Sequence, residues 1–185
     1  MMMKLTQVAL LVAGGLAIAG CQLDHAKTAA PAKKAPAADY MQALPPGPAV
    51  PNLKAICYNA NDLTTVRARM FHQEMVVATL QCQTPSGGRA FESIYGSYLG
   101  KFGGDLSSNA RALTELSRRK RFNVDTLVTE FSNRMAQRAP VDKEFCSRNL
   151  RALEWALDPK VASLSQTPPP YDLGPEMNIH PCTAP

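Results

Sequence analysis

Between Leu63 and Leu157 apolar side chains recur every three or four residues almost throughout, and no stretch alternates strictly enough to make a half-buried strand. That spacing confines the chain to helices packed face against face. The expected fold class is all-α, a small disulfide-stapled bundle of four to five helices. Asn61 or Asp62 can cap a first helix running to about Gln81, with Leu63, Val66, Met70, Val77 and Leu80 on one face, and Pro85-Ser86-Gly87-Gly88 ends it. A second helix from about Arg89 carries the aromatic stripe Phe91, Tyr95, Tyr98 and Phe102, and Gly103-Gly104 breaks or bends the chain. Asp105 or Ser107 opens a third segment with Leu106, Ala110, Leu113 and Leu116, which ends in Arg118-Arg119-Lys120-Arg121. Asn123 begins a fourth with Leu127, Val128, Phe131 and Met135, stopped by Pro140. Asp142 caps a fifth with Cys146, Leu150, Leu153 and Leu157 facing inward, closed by Pro159. Glu115 with Arg119, Glu130 with Arg134, and Glu144 with Arg148 set the acid four residues before the base, the order that supports a helix by a few tenths of a kcal/mol.

Cysteine positions restrict how these helices connect. Cys57 lies just before the first helix and Cys82 at its end. A helix of about 20 residues is roughly 30 Å long, whereas bonded cysteines need Cα atoms within about 7 Å. Cys57 and Cys82 therefore do not pair, and two connectivities survive. If residues 89–121 act as one bent helix, four legs bring Cys82 to Cys146, and the tail returns Cys182 to Cys57. If Gly103-Gly104 reverses the chain, five legs put Cys146 near Cys57 instead. The four-leg arrangement, with Cys82–Cys146 and Cys57–Cys182, is the preferred one.

At the other end of the chain, Lys4 precedes an apolar or small run from Val8 to Gly20, the pattern of a secretory leader. The run is shorter than the roughly 20 apolar residues that cross a bilayer as a helix. Ala17-Ile18-Ala19 would suit an ordinary signal peptidase, whereas Ile18-Ala19-Gly20-Cys21 resembles the lipobox of bacterial lipoproteins. That resemblance implies a signal peptide over residues 1–20, a diacylglycerol on the Cys21 thiol, further acylation (palmitate-type chains) and a new N-terminus at Cys21. The cysteine count agrees, because lipidation of Cys21 leaves an even four for two disulfides in an oxidising periplasm. Gln22, in place of an aspartate retention signal, points to the outer membrane, with the anchored chain facing the periplasm. Residues 21–52 then form a lipidated N-terminus and a flexible tether rich in Ala, Pro and Lys, in which Lys27, Lys33 and Lys34 either touch anionic lipid or envelope polymer or, more simply, belong to a solvated spacer. Residues 53–185 form the helical domain with its Pro-rich tail.

The run LTTVRARMFHQEMVVATLQC, the aromatic helix after it and the later EFCSRN resemble a group of short exported helical proteins of alphaproteobacteria. The resemblance spans about residues 55–157 and implies a helical exported domain. It carries no mechanism.

Chemistry-bearing motifs are sparse. His25, His72 and His180 are the three histidines, and His72-Gln73-Glu74 lacks the second histidine of a zinc helix. Met70, His72, Met75, Met177, His180 and Cys182 are of the types that Cu(I) accepts, but Met70 and His72 are two apart on a helix and diverge, so core packing is the simpler role. No serine elbow, phosphate loop or dinucleotide fingerprint occurs, so no catalytic residue, metal or cofactor is assigned. Arg118, Arg119, Lys120 and Arg121 either meet an anionic lipid or an acidic partner, or close a helix whose negative dipole end they oppose. Basic residues exceed acidic ones by 20 to 15, but an exported chain has no nucleic acid to meet. The tail TPPPYDLGPEMNIHPC either offers Tyr171 to another protein or packs along its own bundle, pinned by Cys182.

These features predict a non-enzymatic envelope lipoprotein, held to the membrane by its lipid, that serves as an accessory or interaction module for an outer-membrane or periplasmic protein assembly. The alternative is a periplasmic module holding an apolar or aromatic small molecule beside Phe91, Tyr95, Tyr98 and Phe102.

Overall fold

Helix α1, Ala60–Gln81, is the element around which the rest is arranged, since α2, α3 and α4 all pack against it. The computed structural model describes residues 38–44 and 56–182, which belong to one compact unit. The expected leader, Cys21 and the lysines Lys27, Lys33 and Lys34 lie outside the described residues. The cap of α1 is Asn59, not Asn61 or Asp62: its backbone is extended and its Oδ1 accepts the Asp62 N–H at 2.8 Å. Asp62 sits in the first turn, buried, where Arg119 reaches it at 3.0 Å. After Cys82 the chain turns through Thr84–Gly88, and Gly87 takes a φ of +83°, a conformation suited to glycine. The alanine-to-cysteine return, Ala90 N–H to Cys82 C=O at 3.0 Å, closes this loop.

Helix α2 runs unbroken from Glu92 to Lys120, so of the two alternatives at Gly103-Gly104 the chain does not break, and the second and third segments are one helix, as the preferred four-leg arrangement requires. Two helix-interior glycines cost about 1 kcal/mol each against alanine. The buried row Tyr98, Phe102, Leu113 and Leu116 runs on both sides of the pair, and its burial against the core offsets that cost. Arg121, at a φ of 59°, ends the helix in the left-handed conformation, its N–H on the Ser117 carbonyl.

Helix α3, Val124–Arg138, starts as the sequence indicates, with Asn123 Oδ1 accepting the Thr126 N–H at 2.9 Å. Helix α4, Phe145–Leu157, begins at Glu144, and Asp142 contributes by accepting the Glu144 N–H at 2.8 Å. Its inward row is Phe145, Asn149, Ala152, Leu153 and Ala156, which leaves Cys146 exposed where an inward position was expected. Leu80 and Ala110 are likewise exposed, each lying off the buried row of its helix. Of the three acid–base spacings only Glu130–Arg134 comes within ion-pair range, at 3.9 Å. Arg119 turns to Asp62, and Arg148 donates to the Tyr40 carbonyl at 2.9 Å.

The disulfides are Cys82–Cys146 and Cys57–Cys182, with Cα separations of 5.7 and 4.6 Å. This is the four-leg connectivity, as a continuous α2 requires. A minor parallel strand pair, β1 Ile56–Tyr58 with β2 Ile179–Pro181, aligns Cys57 with His180 and seats the second bridge.

The tail is part of the core. Tyr171, Leu173 and Met177 have no exposed surface, so Tyr171 is not offered outward. Gly174 is required there, because a Cβ would lie 2.9 Å from the Ile179 carbonyl oxygen. Residues 38–44, which composition assigns to the flexible tether, also pack on the domain: Tyr40 is fully buried, its hydroxyl donates to Pro168 C=O at 3.0 Å, and the Gln42 N–H donates to Pro170 C=O at 2.8 Å. One aromatic ring among alanines and prolines outweighs the tether composition locally.

Candidate interaction groove

The second half of α1 and the first half of α2 leave a groove of about 310 Å³ between them. Val76, Thr79 and Leu80 form one wall, Tyr95 and Leu99 the other, and Arg89 with Glu92 stand at the mouth. Leu80 is 51% and Leu99 38% exposed, both large apolar side chains left facing solvent. Cys82, two residues beyond Leu80, ties this end of α1 to α4 through Cys146. The groove therefore stands on a stapled frame.

Tyr95 joins the groove to an aromatic stack. Tyr95 and Tyr98 are 5.8 Å apart between ring centroids, and His72 lies against both at 6.5 and 6.1 Å with interplanar angles of 19° and 24°. Tyr98 is fully buried and leans on Phe71 and Phe102. Burial, followed by the nearby Arg69 charge, pulls the His72 imidazole down to about 4, so it is neutral at physiological pH. Burial pushes the Tyr95 phenol up. With His72 neutral, the stack sets an uncharged group of rings beside the groove, which it meets through Tyr95.

Beside the groove, Gly96, Gly100 and Gly103 share the outward face of α2 with Leu99, and Gly104 adjoins them. A Cβ at any of these four would meet nothing within 4 Å. Internal packing thus gives no reason for glycine there, although each lowers helix stability.

A second polar centre is closed rather than open. Glu74 of α1 has no exposed surface; its Oε2 accepts the Tyr171 N–H at 3.3 Å and its Oε1 is unpaired. Burial pushes this carboxyl well above its ordinary value, against the opposing Tyr171 amide, with the Asp172 charge raising it further and Arg138 lowering it. The Tyr171 hydroxyl donates to Asp142 at 2.7 Å, and Arg138 and Arg148 lie over its ring at 5.2 and 5.5 Å. Glu176 accepts from both Arg134 and Arg138, at 3.0 and 2.9 Å. The contacts of Glu74 and Tyr171 seat the tail, while Arg134, Arg138 and Glu176 border a surface pocket of about 210 Å³.

The residues singled out from sequence are dispersed. Phe91, Tyr98 and Phe102 are core, and of the aromatic stripe Tyr95 lines the groove. The basic run divides: Arg119 holds Asp62, Lys120 donates to the Cys57 carbonyl at 2.8 Å, and Arg118 and Arg121 are exposed. Met70 Sδ accepts the Leu173 N–H at 3.2 Å, and Cys182 is in its disulfide. Among the described residues no three His, Cys, Asp or Glu side chains gather as a metal set, and no helix is long and apolar enough to cross a membrane. Leu99 was outside every sequence pattern; its signal was its place beside Gly96 and Gly103, off the aromatic stripe. No protein-family model, curated protein or solved structure matches the chain.

Proposed function

We propose that the protein is a non-enzymatic, lipid-anchored envelope factor, held at the outer membrane through Cys21, that works by docking an amphipathic helix of an envelope protein partner in the α1–α2 groove. The observation that carries the reading is the exposure of Leu80 and Leu99 on a disulfide-braced frame. A helix suits the site for two reasons: the adjoining glycines let another backbone approach closely, and Arg89 and Glu92 at the mouth are exposed charges for a partner's acid and base. Burying one leucine contributes roughly 1.5–3 kcal/mol. A membrane tether raises the local concentration of such a weak site near its partner.

The test is chemical crosslinking in intact cells with the full chain, its Cys21→Ala variant and a Leu80→Ser/Leu99→Ser variant, with the crosslinked peptides sequenced by mass spectrometry. The expected result is one partner peptide of amphipathic helical pattern, lost with the groove variant and reduced without lipidation. A groove variant that retains the same crosslink, or a recovered apolar small molecule in place of a peptide, contradicts the reading.

A further inference from the structure

Folding splits the basic run Arg118–Arg121 and rebuilds half of it into a different surface. Arg119 and Lys120 are spent on Asp62 and Cys57 within the molecule. Arg118, by contrast, joins Arg111 and Thr114, which stand seven and four residues before it and so share its face of α2. Together with Glu115 and Ala110 they line a shallow depression of about 340 Å³. Arg121 is exposed at the helix end just beyond. Arg111 donates to Ser108 at 3.1 Å, and among the described residues none of Arg111, Arg118 and Arg121 is within ion-pair distance of a carboxylate, Glu115 included.

Three exposed guanidinium groups, unpaired to any acid among the described residues, match the chemistry of phosphate oxygens, which a guanidinium fork meets in pairs; the Thr114 hydroxyl between them donates to the Ala110 carbonyl at 3.0 Å and serves only as a small polar spacer. We propose that Arg111, Arg118 and Arg121 form a phosphate-facing surface that lays this end of α2 against an anionic lipid layer. The inference rests on the lipid-anchored reading, since a tether keeps an anchored domain near that layer and raises its concentration there. The shallow, open shape favours a layer of headgroups over one enclosed phosphate ion. Each base near such a surface is worth about fivefold in binding.

Sedimentation with vesicles tests it, using the unlipidated mature chain from residue 21 with Cys21→Ser, so that neither the acyl anchor nor the apolar leader itself holds protein to lipid. The expected result is binding to phosphatidylglycerol vesicles and not to phosphatidylcholine ones, weakened about fivefold by Arg111→Gln and again by Arg118→Gln. Glu115→Gln should strengthen it, and Lys143→Gln, an equal charge change on another part of the surface, should leave it nearly unaltered. Equal binding to both vesicle types, or no difference between Arg118→Gln and Lys143→Gln, overturns the proposal. Competition by inorganic phosphate well beyond that by chloride at equal ionic strength would assign a free phosphate site and overturn the lipid surface. Acylation of Cys21, read separately from the mass of the N-terminal peptide in cells, keeps failure of this inference apart from failure of the anchor.

Discussion

Glu74 places a carboxyl in the fully buried layer between α1 and the tail, where its protonated form is favoured. The unfolded chain ionises near 4.5 and the folded one well above it, so the folded state keeps a proton that the unfolded state releases. Stability from this group is complete below the unfolded value and declines as pH rises toward the folded one, by up to about 1.4 kcal/mol per pH unit. Urea unfolding from pH 6.5 to 8, clear of the range in which His72 opposes it, should show that decline in the native protein. It should be flatter in Glu74→Gln, and an equal slope in both would rule the assignment out. His72 acts in the opposite direction, losing stability as pH falls from 6.5 toward 4. Its ring protons, followed by NMR, should keep the neutral shift at pH 5.5. Gly100→Ala should stabilise the fold by about 0.5–1 kcal/mol in the same urea assay, because the added methyl meets open space in a helix interior. If Gly100→Ala also weakens partner capture, the glycine face belongs to the docking surface.

At the scale of elements, the fold rests on how α1, α2 and the tail hold one another. The Glu176 clasp joins the tail to α3 through Arg134 and Arg138, and Glu176 is nearly buried. Glu176→Ala leaves two arginines without their shared acid and should cost roughly 3 kcal/mol, measured by thermal unfolding. Much of this architecture was legible in the sequence. Asn123 and Pro140 bracket α3 because caps and breakers act locally, and the helix-length limit excluded a Cys57–Cys82 bridge. Gly103-Gly104 left a break and a bend both open because propensity is a local cost; the buried row Tyr98–Leu116, an effect of tertiary packing, decides for one helix. The tail and Tyr40 were opaque for another reason. They bury their side chains without periodicity, so neither pattern nor composition announces them. The groove was half visible: Tyr95 stood in the aromatic stripe, but Leu80 read as core, since its exposure depends on where α2 crosses α1.

As a whole molecule, the protein is a helical domain closed by two long-range disulfides, separated in sequence by 125 and 64 residues. Removing either constraint by paired Cys→Ser substitution should cost about 2–5 kcal/mol in unfolding free energy, and the exposed Cys57–Cys182 bridge should be reduced first by mild thiol. Such a frame gives the groove a fixed shape, and the proposed anchor, docking groove and basic face would set it beside a membrane and a partner at once. The most direct test of that account replaces Leu99 with a photoreactive amino acid in intact cells, with the same replacement at exposed Lys143 as a reference. The account predicts one defined adduct from position 99, absent from position 143 and lost when Leu80→Ser is added. No adduct at position 99, or the same adducts from both positions, would contradict a docking role for the groove.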